Sequence, residues 1–594
     1  MKTLFLKNRI KNIHQLLSIV ISLSSVAYIL LSIIDFAFFI SPQESRLFST
    51  CYYFIWILFI IHSVYQLFMN LWLKNKRGIL QKIFTTILLL SISVPFIYPS
   101  ATWINNILGH KLYFTFIMLI IALGTLSKKV MLLFNQKTNP AMLMAASFSL
   151  IIISGALLLL SPRCNTGLLS ITDSLFVATS AVCVTGLTPV DVSSVFTREG
   201  QIIIILLIQI GGLGVMTLTS FFAVFFMGNV KVSHQLTVKE MISSGTLNSL
   251  FSMLLYILGF TLAIEAIGAV TILYSIHGTL GMDLKDEIFF SIFHSISAFC
   301  NAGFSTLQGN LGNPLVMSNH NLLLITVSFL IIFGGIGFPI LVNLVHLLRY
   351  YLQRFFLIKI LRKKSVKKVT HIINVNTKIV LLTTIALLVG GTFMMLIFEW
   401  NQSFKNLALD DKLTHAFFNS ASTRTAGFSS VNLSLFSTPT LLVYLFLMWI
   451  GGAAQSTAGG IKVNTFATAL LSLKAILFAE NRVEIFKREI SKDSITRAYG
   501  TIFISMMVIS VSLFILCLVE PNISLFKLTF EIFSAISTVG SSLDTTAQLS
   551  VPGKIIIMVL MFTGRIGIFT LLVSFIKQKP QKNYRFPEEQ IIIN

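Results

Sequence analysis

The sequence is poor in charged residues, in acids and in cysteines. Only 11% of its 594 residues are charged, against roughly 25% in a soluble domain, and 22 Asp and Glu stand against 44 Lys and Arg. The five cysteines, Cys51, Cys164, Cys183, Cys300 and Cys517, form no CxxC or Cys–His motif, which argues against a disulfide framework and a zinc site. The histidines are scattered, and no GxGxxG follows a strand-like segment, so neither an enzyme site nor a nucleotide-binding domain is indicated.

Long apolar runs dominate instead, and 55% of the residues are hydrophobic. A helix needs about 20 apolar residues to cross a bilayer. By that criterion the chain has twelve candidate spans, near residues 16–40, 51–73, 83–99, 112–127, 140–160, 200–227, 250–276, 321–348, 378–399, 440–471, 499–519 and 554–576. We interpret the first as a helix and not as a cleaved signal, because it is long enough to span. The chain is therefore predicted to be a multi-pass membrane protein.

Basic residues alternate between the connections of these runs. Lys and Arg accumulate in every second connection, within residues 74–82, 128–137, 231–239, 349–378, 474–497 and 577–585. The other connections carry isolated charges. Because cytoplasmic loops are enriched in Lys and Arg, the pattern predicts a protein of the plasma (inner) membrane with both termini in the cytoplasm. The formal charge of +22 is then a topology signal, and no nucleic-acid partner is expected.

Four segments that begin with Ser-Ala and contain a glycine interrupt the apolar sequence, at residues 180–187, 297–304, 420–428 and 534–541. Their glycines, Gly186, Gly303, Gly427 and Gly540, lie 117, 124 and 113 residues apart. All four segments fall on predicted outer connections. Residues that favour helix starts precede each of them, at Thr172–Asp173, Asp286–Glu287, Asp410–Asp411 and Asn522–Ser524. The spacing predicts four related units, each with a short helix that leads into a glycine segment.

These segments have the composition of a cation filter. Non-helical backbone at membrane depth is tolerated only where it is buried or lines water, and a ring of backbone carbonyls can replace the hydration shell of a cation. The short helices would direct their negative C-terminal ends to the same place, and glycine permits the backbone turn. The predicted filter residues are Val184, Thr185, Gly186, Asn301, Ala302, Gly303, Thr425, Ala426, Gly427, Thr538, Val539 and Gly540.

The predicted fold class is an all-α integral membrane protein. It has a four-fold pseudo-repeat of span, re-entrant pore loop and span, preceded by four extra N-terminal transmembrane helices. The predicted parts are residues 1–137 (extra helices), 138–240, 241–370, 371–498 (with an intramembrane gating loop) and 499–594 (with the C-terminal tail). A voltage sensor would need Lys or Arg at every third position of one helix, and the extra helices do not have this pattern. A scaffold or dimer-packing role is the favoured interpretation.

A second motif recurs after each glycine segment, at residues 210–214, 333–337, 450–454 and 563–567. The register places Arg565 where the other units have Gly212, Gly335 and Gly452. Glycine pairs in membrane helices also serve close helix packing, and that interpretation stays open. A buried arginine is costly and nearly always faces a bundle interior or water, so Arg565 is predicted to project into the ion path.

The third unit is broken by small and polar residues over 451–460. Such a run is too unfavourable for a continuous helix, and it predicts a flexible plug beneath the filter. The candidate gate residues are Gly451, Gly452, Gln455, Ser456, Thr457, Gly459, Gly460, Lys462 and Arg565. A loop that serves packing only is the alternative. A phosphate-binding loop is disfavoured, because Ile461 and Val463 flank the lysine where Gly and Ser or Thr are needed.

Residues 422–428, residues 456–462 and the pair Gly564–Arg565 resemble the superfamily of K+ transporters that includes KtrB, TrkH and the plant HKT proteins. The resemblance covers about residues 138–594. It implies K+ uptake, with Na+ dependence left open, through a homodimer in which each subunit has its own pore. It also implies cytosolic nucleotide-binding partners similar to KtrA or TrkA. K+ and Na+ enter as transported ions, with no nucleotide on this chain.

The sequence departs from the pattern of this superfamily in two places, and it leaves alternative functions to be distinguished. Residues 453–455 replace the Ser-Pro-Gly-like stretch of relatives, and the fourth filter reads Val539-Gly-Ser541. A Na+-permeable member of the superfamily is one alternative, although Gly186 stands where such members tend to have serine. A secondary transporter of another solute is the other, but it normally shows two related halves. The basic connections could dock a partner or attract anionic membrane lipid.

Overall fold

The computed structural model describes residues 2–38, 41–72, 79–92, 94, 111–133, 140–167, 169–214, 250–314, 320–360, 373–575, 587 and 589. Most of these residues are helical. The helices are α1 (Lys2–Ala37), α2 (Pro42–Trp72), α3 (Ile79–Ser91), α4 (Lys111–Leu133), α5 (Pro140–Leu159), α6 (Ile171–Cys183), α7 (Val192–Val195), α8 (Arg198–Leu213), α9 (Leu250–Ile276), α10 (Leu284–Phe299), α11 (Asn321–Ile336), α12 (Phe338–Phe355), α13 (Val375–Glu399), α14 (Leu409–Ser422), α15 (Thr438–Trp449), α16 (Val463–Leu477), α17 (Lys492–Val519), α18 (Leu525–Ile536), α19 (Val551–Ile566) and α20 (Ile568–Phe575).

Shorter elements complete the described chain. Strands β1 (Glu484–Ile485) and β2 (Arg488–Glu489) form an antiparallel hairpin in which Glu484 pairs with Glu489. Three 3₁₀ turns, Asn310–Gly312, Leu433–Leu435 and Thr546–Gln548, follow three of the glycine segments, and a π-helical turn, Phe356–Ile360, extends α12.

Several helices are long and apolar enough to cross a membrane. Among the described residues these are Leu17–Ala37, Pro42–Met69, Leu255–Ile276, Val375–Glu399 and Lys492–Val519. A sixth candidate is the pair α11 and α12, which is bent by 102°. The other predicted spans stay predictions, and those near 83–99 and 200–227 lie partly outside the described residues, as do most of the basic connections.

The glycine that ends the second motif also ends a helix. Gly214, Gly337 and Gly567 follow α8, α11 and α19 and have φ values of 78°, 95° and 95°. A positive φ is costly for residues with a Cβ, which is why glycine suits a helix terminus of this kind. The prediction of an unbroken span over 321–348 is therefore wrong: the chain turns sharply at Gly337.

The first four helices have a core of their own. Tyr28, Tyr52, Phe59 and Met118 belong to a buried cluster built from α1 to α4. The largest cluster begins at Phe148 and takes residues from each of the four predicted units. The boundary near residue 137 agrees with this division but stays a prediction.

The short helices α6, α10, α14 and α18 lie at the centre of the later units. Serine caps fix the starts of two of them: Ser170 accepts a hydrogen bond from the Asp173 amide, and Ser524 accepts one from the Lys527 amide. Helices α10 and α14 carry acids in their first turns instead, where the helix dipole favours them. Each short helix ends within a glycine segment.

Contacts between neighbouring units close a circle. Helix α8 packs against α10, α11 against α14, α15 against α18, and α19 against α6. Each of these pairs joins the helix that follows the glycine segment of one unit to the helix that precedes the glycine segment of the next. The last unit thereby contacts the first, and the four glycine segments are brought to one place.

In the third and fourth units, a buried carboxylate joins the two helices on either side of the glycine segment. Glu399, at the end of α13, accepts hydrogen bonds from the amide and hydroxyl of Ser437, which precedes α15. Glu520, after α17, accepts from the amide of Ser550, which precedes α19, at 2.7 Å. In both units an acid at the end of the first long helix caps the second, which fixes the segment between them at both ends.

Candidate functional site: a ring of four glycine segments

The four glycine segments touch one another in a ring. A Cβ atom added to any of the four glycines would collide with a backbone carbonyl oxygen of the next segment. The colliding pairs are Gly186 with Ala302, Gly303 with Ala426, Gly427 with Val539, and Gly540 with Thr185. Because the fourth pair returns to the first segment, the ring is closed. There is no room in it for a side chain at these positions.

The backbone of the four segments has the same unusual conformation. The glycines have φ values of 98°, 70°, 70° and 94°. Two residues earlier, Val184, Asn301, Thr425 and Thr538 have φ values of 55°, 59°, 75° and 49°. Left-handed backbone is uncommon outside glycine, and such strain is concentrated at functional sites. The same left-handed backbone at four equivalent positions indicates that the direction of the carbonyl groups in these segments matters for function.

Buried serines hold this backbone in place. The hydroxyl oxygens of Ser180 and Ser534 accept hydrogen bonds from the amides of Gly186 and Gly540, both at 3.0 Å. The hydroxyl of Ser297 donates to the carbonyl of Phe304 at 2.8 Å. Sequence reasoning used the Ser-Ala start of each segment as a repeat marker but assigned these serines no role. The position of Ser180, Ser297 and Ser534, each six residues before its glycine, was the available signal.

A cavity of about 510 Å³ opens on one side of the ring. The four glycines form its floor, and the residues that follow them form its walls. Asp191 and Asp544 lie in this lining, and the described lining contains no Lys or Arg. A concave surface with negative charge only raises the local concentration of cations.

The loop 450–462, which we call the plug loop, separates α15 from α16 and lies on the other side of the ring. The hydroxyl of Thr457 donates to the carbonyl oxygen of Phe299, in the second segment, at 3.3 Å. Gly459 lies against Thr538 of the fourth segment, and Gly451 lies against Thr425 of the third. The plug loop, which contains most of the predicted gate residues, is thus brought next to three of the four glycine segments.

Lys462 and Arg565 hold the plug loop. The Lys462 ammonium donates to the carbonyl oxygens of Ala458 at 2.6 Å and Gly459 at 3.3 Å. The Arg565 guanidinium donates to the carbonyl oxygens of Thr457 and Gly211. Arg565 therefore bridges the plug loop and α8 of the first unit. Sequence register placed this arginine at the central helices, but it could not reveal its carbonyl partners.

Gly212, Gly335 and Gly452 occupy the corresponding places of the other three units. A Cβ atom at Gly212 would collide with the Cys300 sulfur atom, and one at Gly452 would lie 2.7 Å from the Gly335 carbonyl oxygen. Close packing, which was the alternative explanation of the glycine pairs, is thus present at Gly212 and Gly452, whereas a Cβ atom at Gly335 would make only an ordinary contact.

Comparison with known proteins identifies the family. The family model described as TrkH, a cation transport protein, matches residues 109–585. The chain belongs to this family. The match begins before residue 138, so the expectation that the N-terminal 137 residues lie wholly outside the resemblance is wrong: α4 falls within the matched range. The TrkH family comprises ion transporters and not enzymes, and this chain is a multi-pass membrane protein of that kind.

Individual relatives agree with this assignment. The potassium/sodium uptake protein NtpJ of Enterococcus hirae is 34% identical over 468 residues, which cover 77% of this chain and 98% of that protein. The Ktr system potassium uptake protein B of Vibrio alginolyticus is 36% identical over 448 residues, covering 75% and 93%. The crystal structure of the potassium transporter TrkH from Vibrio parahaemolyticus has the same fold, with a TM-score of 0.59 at 16% identity, covering 84% of this chain and 96% of that one.

Proposed function

We propose that this chain is a K+ uptake subunit of the plasma membrane with one pore along the axis of the glycine ring. The closed contact of the four segments carries the proposal, because the carbonyl oxygens of Thr185, Ala302, Ala426 and Val539 each lie against the glycine of a neighbouring segment in a closed circle. Such oxygens can replace the water around a monovalent cation. The four short helices end at the same place and add the negative ends of their dipoles.

The proposed pore has four related units of span, re-entrant loop and span, preceded by the four extra helices. The distribution of Lys and Arg among the connections places both termini in the cytoplasm and the glycine segments on the outer side. The acidic cavity at Asp191 and Asp544 is then the outer mouth of the proposed pore and faces the outside of the cell.

The plug loop and Arg565 form the proposed gate. They contact residues on the side of the ring away from the acidic cavity, so an ion that leaves the filter meets them next. A cation approaching Arg565 meets a like charge in a region of low dielectric, which raises the barrier. Movement of the loop away from the Arg565 guanidinium opens the path.

We further propose a homodimer with cytosolic nucleotide-binding subunits similar to KtrA or TrkA. The Vibrio alginolyticus relative is protein B of the Ktr system, and a system with lettered proteins supports a multi-subunit assembly. Docking surface is available on the basic connections at residues 349–368 and 474–492, the second of which carries the β1–β2 hairpin, and on the tail at residues 584–589.

The test is uptake of rubidium, as a tracer of K+, into cells that lack their own K+ uptake systems. Gly303→Ala and Gly427→Ala should abolish uptake, because the added Cβ atoms collide with backbone oxygens of the ring. Gly259→Ala and Gly500→Ala are matched controls, since a Cβ at either position meets open space. Normal uptake by the ring variants, at wild-type surface levels, would refute the proposed filter.

Na+ permeation is the second candidate, and the name of the NtpJ relative favours it. Rubidium uptake should fall on addition of unlabelled K+. Inhibition by Na+ together with uptake of labelled Na+ would instead identify a Na+-permeable member. Stimulation of rubidium uptake by Na+ would identify Na+ dependence.

A further inference from the structure

Helix α12 leaves the bundle at a steep angle. It begins directly after Gly337 and makes an angle of 102° with α11. Helix α11 packs against the short helices α10 and α14 within the bundle. If α11 follows the bilayer normal, a helix at this angle to it lies close to the membrane plane.

One face of α12 is apolar and uncovered. Leu348, Tyr351, Leu352, Phe355 and Ile358 are each 44% to 59% exposed. Their spacing of three and four residues places them on one stripe of the helix. With Arg354 and Lys359 they line a groove of about 610 Å³.

The borders of this stripe are basic. At 100° per residue, Arg349 and Arg354 fall on its two sides. The Lys359 ammonium lies 5.1 Å from the centre of the Phe355 ring, so its aliphatic stem follows the apolar surface and its charge reaches the edge. The sequence contains no Asp or Glu between Glu287 and Glu399, so no acid of α12 neutralises these cations.

An apolar stripe flanked by cations has the chemistry of a helix that lies in a membrane surface. A second copy of the chain would bring the same cations against one another across a two-fold axis. An anionic bilayer offers both a hydrocarbon boundary for the stripe and phosphate groups for the cations. Charge complementarity therefore favours lipid as the occupant.

The start of α12 is bonded to the plug loop. The Phe338 amide donates to the Gln455 carbonyl oxygen at 3.2 Å, and just before the turn the Gly335 carbonyl oxygen of α11 accepts a hydrogen bond from the Ala453 amide at 2.9 Å. Ile340, in the first turn of α12, shares a buried cluster with Ala453. A tilt of α12 would therefore displace the plug loop.

We propose that α12 binds anionic phospholipid of the cytoplasmic leaflet and thereby stabilises the plug loop in its present position. The second part rests on the proposed pore and gate, and the first part does not. Anionic lipid should accordingly bind at Arg349, Arg354 and Lys359 and should slow permeation.

The binding test uses the full-length protein and spin-labelled phosphatidylglycerol. The triple variant Arg349→Gln, Arg354→Gln, Lys359→Gln should bind the probe about five-fold more weakly for each charge removed. The matched control removes three exposed cations from the β1–β2 hairpin region, as Arg482→Gln, Lys487→Gln, Arg488→Gln, and should bind like the wild type. Equal binding by the two triple variants would overturn the lipid site.

The flux test compares vesicles of phosphatidylcholine with vesicles that also contain phosphatidylglycerol, at a ratio of roughly three to one. Rubidium flux of the wild type should fall about two-fold or more with phosphatidylglycerol, and that of the α12 variant should not change. Flux that is equal or higher with phosphatidylglycerol would overturn the link to the gate. No flux in either vesicle, with normal lipid binding, would refute the proposed function and leave the lipid site standing. A loss of dimer mass in the α12 variant, with unchanged lipid binding, would identify a subunit interface instead.

Discussion

The Lys554 ammonium lies 2.7 Å from a carboxylate oxygen of Asp173, 381 residues away along the chain. Both side chains are largely buried, with 14% and 15% of their surface exposed. The pair joins the first turn of α19 to the first turn of α6, where the fourth unit meets the first. This ion pair lies between the same two helices whose packing closes the ring.

Replacement of one partner of this pair should weaken the whole bundle. Lys554→Met leaves the Asp173 charge buried without its partner, which costs about 3 kcal/mol, and should lower the melting temperature of the detergent-solubilised protein. Asp173→Asn in the same chain should restore part of the loss. Lys405→Met, at an exposed lysine, is the control. An unchanged melting temperature for Lys554→Met would show that the pair does not hold the ring together.

Arg565→Ala should raise the rubidium flux at a fixed driving force. The substitution removes a charge and its hydrogen bonds to Thr457 and Gly211. Since a hydrogen bond to a charged group contributes about 1.5–3 kcal/mol, the loss of one raises the population of the open loop roughly ten-fold. Arg497→Ala, at an exposed position of α17, should leave the flux unchanged. Equal or lower flux in correctly inserted Arg565→Ala protein would contradict the gate.

Lys462→Met should also speed permeation, but less than Arg565→Ala. The ammonium donates to two carbonyls within the plug loop, so its removal loosens the loop without removing the Arg565 barrier. We expect a measurable rise in rubidium flux that stays below that of Arg565→Ala, together with weaker control by cytosolic subunits. Combined with Arg565→Ala, the effects should be less than additive, because both changes act on one loop. Fully additive effects would indicate two independent elements.

Lowering the pH should destabilise the contact between the first turn of α10 and the residues that follow α9. Glu287, in the first turn of α10, accepts hydrogen bonds from the His277 ring and from the Gly278 amide, and these partners hold its pKa below the ordinary value of 4.5. The pKa of Glu287 is lower in the folded protein than in the unfolded chain. The hydrogen bonds of its carboxylate therefore stabilise the fold fully at a pH above the unfolded pKa, and this stabilisation is lost as the pH falls through the folded pKa.

The melting temperature should therefore drop less in Glu287→Gln than in the wild type when the pH is lowered from about 6 to about 4. Glu480→Gln removes an exposed acid and should drop like the wild type. Identical pH profiles for Glu287→Gln and the wild type would show that this carboxylate contributes nothing to acid sensitivity.

Local features of the site were predictable because they depend on residue type. Glycine at Gly186 and Gly303 marks backbone that no other residue adopts cheaply, and a repeat spacing shows that four such places exist. The plug loop was predictable for a similar reason, since its small and polar residues cannot form a stable helix. The family resemblance rested on the same residues.

Relations over long distances were not predictable. Nothing in the local sequence of Lys554 indicates Asp173 as its partner, because the contact exists only once the ring is closed. The left-handed backbone at Val184 is also unexpected, since a β-branched residue rarely adopts it, and it depends on the surrounding segments. The turn at Gly337 was missed because residues 321–348 have continuous hydropathy, which reports burial in an apolar phase and not helix direction.

The contact of α19 with α6 has a consequence for biosynthesis. Helix α6 is synthesised well before α19, so the contact that closes the ring forms only after Asp173 and Lys554 have both been inserted. Membrane insertion of the first glycine segment and closure of the ring are thus separate events, and a chain without α19 lacks the neighbour of α6 that completes the proposed pore.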